Sequence, residues 1–244
     1  MISYIMTDEK QNEEVKFNNP KDAANIPLIW IHDMTWGYDE SKKILFKKFN
    51  FNLKKWDFTV ITGKSWTGKS TLVKFLIGQI KPYKKTLYYK MEDMSEFWDD
   101  EIQRYRRKIG IIFQDYQLIN SLTPKQNIIY PLVLDSTPLP TIKKKYDAVN
   151  RLLDISSIET TEIKKLSGWE KQKVAMARAL IHAPDFIIAD EPTGNLDHEN
   201  TLQIADILIK ANQIGNTIVL VTHDEMLLSY LKQHVEIKTI TLGK

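Results

Sequence analysis

The segment Gly63-Lys64-Ser65-Trp66-Thr67-Gly68-Lys69-Ser70 restricts the possible folds of this 244-residue chain more than any other feature. It fits G-x-x-x-x-G-K-[ST], a loop that wraps successive backbone N–H groups around phosphate oxygens and needs a strand before it and a helix after it. The flanks supply both. Phe58-Thr59-Val60-Ile61-Thr62 reads as a buried strand, and from Lys69 to Ile80 the residues Leu72, Val73, Phe75, Leu76 and Ile80 fall at helical spacing. A helix starting there adds about half a positive charge beside the phosphates. Lys69 then reaches the β/γ-phosphates and the Ser70 hydroxyl faces Mg²⁺, with Thr71 completing the cradle.

From Leu28 onward short β-rich runs alternate with helical patterns, which predicts an α/β fold with a central, mostly parallel sheet flanked by helices. Further strands are expected at Ile109 to Phe113, Phe186 to Ala189 and Thr217 to Val221, each apolar on both faces as a central parallel strand is. Between Phe113 and Phe186 the pattern turns mainly helical. Thr123-Pro124-Lys125-Gln126 has the form of a helix start, with Pro at N1 and Gln at N3, and Ile142, Tyr146, Val149 and Leu153 share one helix face. This predicts a helical subdomain over about residues 115–180, inserted in one domain spanning 26–244. Residues 1–25 are polar, contain the turn signal Asn18-Asn19-Pro20, and are expected to form a mobile extension.

A metal on the bound phosphate needs a carboxylate at the end of a neighbouring strand. Phe186-Ile187-Ile188-Ala189-Asp190-Glu191 supplies two, Asp190 to hold Mg²⁺ and Glu191, one step further out, to polarise an attacking water. Composition narrows the partners. With 34 basic and 31 acidic residues the net charge is +3, too even for the basic field of a nucleic-acid binder, so no nucleic-acid partner is expected. Lys143-Lys144-Lys145 and Arg104, Arg106 and Arg107 read as solvated helix faces. The absence of cysteine excludes disulfides, thiol catalysis and Cys-ligated metal. The first residues lack the basic and apolar regions of a signal peptide, and no run approaches the roughly 20 apolar residues that span a bilayer. A cytoplasmic chain is expected, with any membrane task left to a partner.

Leu166-Ser167-Gly168-Trp169-Glu170-Lys171-Gln172 precedes a helix carrying Val174, Ala175, Ala177, Arg178, Ala179 and Leu180. Locally, Ser167 and Glu170 form an S-x-x-E capping box, and an exposed helix N-terminus with a serine hydroxyl also suits phosphate. The segment resembles the LSGGQ signature of ABC ATPases. Other motifs of that family follow in order: Gln114 in Ile112-Phe113-Gln114-Asp115 resembles the Q-loop glutamine, Asn195-Leu196-Asp197 the D-loop, and His223 in Val221-Thr222-His223-Asp224 the switch histidine. Tyr38 is placed like the aromatic residue that stacks on adenine.

The resemblance covers residues 28 to 230 and implies a P-loop NTPase fold that hydrolyses ATP with Mg²⁺. It implies catalytic roles for Glu191, His223, Lys69 and Gln114, and metal contacts for Ser70, Gln114 and Asp190. Nucleotide contacts would come from Tyr38, from the cradle Gly63 to Thr71, from Asp197, and from Ser167 and Gly168 of the opposite subunit of a homodimer. It also implies an integral membrane partner met through the Q-loop region, and a place on the inner face of the plasma membrane. Arg106 to Asp115 and Ala189 to Asp197 resemble the FtsE, LolD and MacB branch, FtsE foremost. That reading implies a cell-division ATPase with an FtsX-like permease; lipoprotein release or efflux is the alternative.

The chain departs from the family at Trp56, Trp66 and Trp169, each standing where the family has glycine. An indole there would obstruct the close approach of backbone to phosphate that glycine permits. Taken literally, the substitutions describe a non-catalytic, nucleotide-gated scaffold. Three such replacements at separate turns point to one cause, our hypothesis being glycine codons of the UGA type read as tryptophan. A genomic codon other than UGA at 56, 66 or 169 ends that explanation.

Overall fold

The computed structural model describes residues 3–5, 14–16, 26–38, 43–194 and 196–243, the backbone alone at 3–5, 14–16, 38 and 43. Its strands are β1 (Ser3–Ile5), β2 (Glu14–Lys16), β3 (Ile29–Tyr38), β4 (Lys43–Leu53), β5 (Phe58–Gly63), β6 (Leu87–Tyr89), β7 (Glu92–Asp93), β8 (Ile109–Ile112), β9 (Phe186–Asp190), β10 (Ile218–Val221) and β11 (Lys238–Leu242). Its α-helices are α1 (Lys69–Leu76), α2 (Asp99–Arg106), α3 (Pro124–Leu134), α4 (Leu139–Leu153), α5 (Gly168–Leu180), α6 (His198–Gln213) and α7 (Glu225–His234). They fall into two compact units, one of Met1–Lys55 with Lys81–Phe97 and one of Trp56–Ile80 with Trp98–Lys244.

The first unit holds an antiparallel sheet in the order β4-β3-β6-β7. Alternation along these strands buries Ile29, Ile31, Phe51, Leu53 and Leu87, as a sheet with one apolar face requires. Trp30 and His32, two apart on β3, lie on the other face, where Trp30 stacks on His32 and on the cross-strand Tyr88. β1 and β2 pair antiparallel; the extension expected over residues 1–25 otherwise lies outside the described residues.

The second unit is the α/β layer that the phosphate loop demands. Its five strands are all parallel, in the order β11-β5-β10-β9-β8. Ile218, Val219, Leu220 and Val221 of the central strand are fully buried, and Phe58 to Ile61 and Phe186 to Ala189 nearly so, because helices cover both faces of a parallel sheet. In register, Val221 stands beside Ile61 on one side and Asp190 on the other. The carboxyl ends of β5, β10 and β9 therefore lie in a row, the edge at which parallel α/β sheets bind ligands.

The helical stretch follows its sequence signals. Thr123 caps α3 and forms a capping box with Gln126, Pro124 opens the helix, and Ile142, Tyr146, Val149 and Leu153 of α4 are buried in one core cluster with strands β5, β9 and β10. α1 stops short of expectation, at Leu76 rather than Ile80. Gly78 adopts φ 67, and the amides of Gly78 and Gln79 turn back onto the carbonyls of Phe75 and Lys74, the Schellman ending that a left-handed glycine produces. Apolar periodicity through Ile80 hid that stop signal.

Candidate functional site

The loop after β5 is folded on itself by short contacts. The Thr67 hydroxyl donates to the Lys64 carbonyl at 2.8 Å, and Lys69 Nζ donates to the Gly63 carbonyl at 2.7 Å. A Cβ at Gly63 would lie 2.6 Å from Thr67 Oγ1 and 2.9 Å from the Leu242 carbonyl oxygen, and φ there is 152. Only glycine closes this turn. Gly68, at φ 99, stands as the N-cap of α1 with no side-chain cap of its own, so the first amides of that helix keep their hydrogen-bonding capacity for an anion.

Trp66 occupies φ 71 and is 88% exposed. Its indole points outward, and the cost of a large residue here lies in the left-handed backbone rather than in filling the cradle. Trp56 is similar, with φ 69 and 66% exposure, its amide donating to Thr217 Oγ1 at 2.8 Å and its carbonyl accepting from Asn212 Nδ2 at 2.9 Å. Trp169 differs. It sits in the first turn of α5, is absent from the left-handed residues, and packs half-buried against the core with Lys173 Nζ 5.7 Å from its ring.

At the end of β9, burial and the charge of Glu191 push the Asp190 carboxyl up to about 6, while Lys69 pulls it the other way. Glu191 holds a left-handed φ of 45, its amide bonds the Val221 carbonyl at 2.8 Å, and its carboxylate meets His223 Nδ1 at 2.7 Å and the His223 amide at 3.3 Å. Strain of this kind in a glutamate at a strand end is typical of functional positions. Sequence reasoning missed a tie beneath this pair. Thr193 Oγ1 donates to Asp224 Oδ2 at 3.0 Å, and Asp224 Oδ1 accepts the Met226 and Leu227 amides as the cap of α7. The signal was present in Thr222-His223-Asp224 ahead of an apolar helix.

Gln114 follows β8, and a Cβ built on Gly194 would stand 3.0 Å from its Nε2, so its amide lies over the turn after Asp190 and Glu191. Ser167 caps α5 by accepting the Glu170 amide on its Oγ at 3.2 Å; in return the Ser167 amide and then its Oγ donate to Glu170 Oε2, each at 2.8 Å, and these two bonds hold the Glu170 carboxyl below its usual range. Gly168 is the first helical residue behind it. Asp197 caps α6 through the Asn200 amide at 2.9 Å. Tyr38 ends β3 in the antiparallel unit, and its side chain, like Asn195, lies outside the described residues.

The donor set suits a magnesium nucleotide. The Ser70 hydroxyl and Asp190 carboxylate offer hard oxygen donors, and among the described residues no group of three or more His, Cys, Asp and Glu side chains forms a cage. An ion held mainly by phosphate and water, with one or two protein oxygens, is the arrangement Mg²⁺ accepts.

The family described as ABC transporter matches residues 46–194. The chain belongs to the ABC transporter family. This ABC chain is 34% identical over 179 residues to the cell division ATP-binding protein FtsE of Bacillus subtilis, covering 73% of this chain and 78% of that one. It is also 34% identical over 209 residues to the bacitracin export ATP-binding protein BceA of Halalkalibacterium halodurans, covering 84% and 81%. A dimeric ATP-binding cassette solved in a post-hydrolysis state with ADP and Pi bound superposes with a TM-score of 0.76 at 29% identity, over 88% of this chain and 97% of that one. The fold is that of an ABC ATPase, a family that binds ATP. No helix among the described residues is long and apolar enough to cross a membrane.

Proposed function

We propose that this chain is the Mg²⁺-dependent ATP-hydrolysing subunit of a membrane complex and works as a homodimer. The observation that carries the reading is the row of groups at the carboxyl ends of β5, β9 and β10: the glycine-closed loop with Lys69, the half-buried Asp190, and Glu191 paired with His223 at 2.7 Å. In this reading the loop amides and Lys69 bind the phosphates, with Ser70, Asp190 and Gln114 holding Mg²⁺. Bound there, the ion would offset charge on the γ-phosphate. Glu191 orients and deprotonates the attacking water, and His223 fixes the glutamate rotamer while facing the γ-phosphate. Tyr38 would take the adenine, Asp197 would contact the nucleotide, and Ser167 and Gly168 would close the site from the second copy.

The test is turnover of Mg-ATP by the purified chain. Glu191→Gln should lower it about 10²-fold or more, as loss of a general base does, while ATP still binds. Unchanged turnover removes Glu191 from the chemistry, and unchanged turnover in EDTA removes the metal.

We further infer an FtsE-like role beside an FtsX-like permease at the inner face of the plasma membrane. Its support is the resemblance of Arg106 to Asp115 and Ala189 to Asp197 to that branch, since overall identity is the same to FtsE and to BceA. Stimulated turnover on co-expression with an FtsX-type permease, and none with an export permease, is the expected result.

A further inference from the structure

The polypeptide that leaves β8 carries Gln114 and then turns through Tyr116 and Gln117, both left-handed at φ 62 and 46. Neither is a glycine, so something must hold the turn. Two local bonds close it, from the Tyr116 amide to the Phe113 carbonyl at 3.1 Å and from the Gln117 amide to the Asp115 carbonyl at 2.7 Å, and Arg178, in the last turn of α5, ties it to the rest of the fold. Its Nη2 donates to the Tyr116 carbonyl at 2.8 Å and its Nη1 to the Gln117 carbonyl at 2.7 Å. A guanidinium is a rigid fork that fits two neighbouring acceptors at once. It has no carboxylate partner among the described ion pairs, and burial pulls its pKa down.

The same segment is pinned a second time. Asn127 of α3 is fully buried; its Oδ1 accepts the Ile119 amide at 2.8 Å, and its Nδ2 reaches the carbonyls of Ile119 and Thr123 at 3.0 and 3.1 Å. At its other end Gln114 is fixed by β8, whose Gly110 lies so close under α5 that a Cβ there would stand 2.5 Å from the Ala179 carbonyl oxygen. Gln114 thus sits two residues from a clamp on the helix that starts at Ser167. In a straight helix, Ser167 and Arg178 are about 16 Å apart.

We infer that Arg178 is a positioning residue. It binds the turn after Gln114 to α5, so that displacement of the Ser167 end of that helix is passed through two carbonyls to the Gln114 amide. The assignment rests on the ATPase reading above for its effect on turnover, but the latch itself is measurable without turnover.

The experiment compares the full chain with Arg178→Gln and Arg178→Lys by amide hydrogen exchange, ATP affinity and Mg-ATP turnover, alone and combined with Gln114→Ala. Arg178→Gln should speed exchange at residues 115–118 by about tenfold or more, with the β5, β9 and β10 amides unchanged. Its turnover should fall about tenfold or more at unaltered ATP affinity, and should fall no further in the Gln114→Ala background, because the two act as one unit. Arg178→Lys, with its charge but no fork, should fall between, and it carries the test if the Gln variant does not fold. Exchange unchanged at 115–118 overturns the latch. Raised exchange with full turnover, or a loss that multiplies with that of Gln114→Ala, overturns positioning and leaves a packing residue. A parent with no turnover refutes the ATPase reading, and the exchange result still decides the latch.

Discussion

At the residue scale, the three tryptophans at glycine positions separate into two kinds. Trp56 and Trp66 hold left-handed backbone with exposed rings, a conformation costing about 1–2 kcal/mol for a residue with a Cβ. Trp56→Gly and Trp66→Gly should each raise stability by about 1 kcal/mol, part of the relief being returned as the extra freedom of glycine in the unfolded chain. Trp169→Gly should lower it by about 1 kcal/mol or more, since it puts glycine inside α5 and exposes core. Urea titration of the three variants checks this, and equal shifts at all three sites would refute the distinction. Asp190 gives a second prediction. Its folded pKa of about 6 lies above its ordinary 3.8, so its contribution to stability is whole below 3.8 and is lost as pH rises through 6. In metal-free buffer the Tm should fall more between pH 5 and 7 in the parent than in Asp190→Asn, which has no carboxyl to titrate.

Elements explain what was legible. Strands β5, β8, β9 and β10 were readable because they are apolar on both faces, and α3, α4 and α5 because Thr123, Ser167 and a four-residue buried stripe mark their starts and faces. The phosphate loop, the acidic pair and His223 were readable because their chemistry is confined to short segments. What sequence did not yield were contacts made across long separations: Arg178 to Tyr116, Thr193 to Asp224, Gly63 to Leu242. No local pattern reports them. Gly110 is the sharpest example, an unremarked residue in an apolar run whose lack of a side chain lets α5 lie on β8. Gly110→Ala would drive a Cβ to 2.5 Å from the Ala179 carbonyl oxygen, a backbone clash that cannot be relieved by rotamer change. We expect a loss of about 2–3 kcal/mol, the upper range for overpacking, with Gly215→Ala, whose added Cβ meets nothing closer than 3.7 Å, losing less despite its φ of 100. Thermal melts of the two variants decide the order.

The whole molecule supplies, in one copy, the loop, the carboxylates and the histidine, whereas Ser167 spends its hydroxyl on Glu170 at the head of its own helix. If that helix end completes the nucleotide site of a second copy, the capping geometry and the phosphate contact can be varied separately. Ser167→Asp keeps a good N-cap, yet it puts a fixed carboxylate at the helix end, where it answers the positive end of the dipole itself and repels the γ-phosphate of the partner's nucleotide. In a Glu191→Gln background, where ATP binds without being consumed, light scattering should show a two-chain mass with Mg-ATP and a one-chain mass with ADP. Adding Ser167→Asp should return the Mg-ATP sample to one chain, with weaker apparent ATP affinity because binding and pairing are coupled, while the neutral cap Ser167→Asn should keep a larger dimer fraction. Persistence of the dimer in Ser167→Asp would mean that α5 does not meet nucleotide, and that any pairing of two copies is built on a different face.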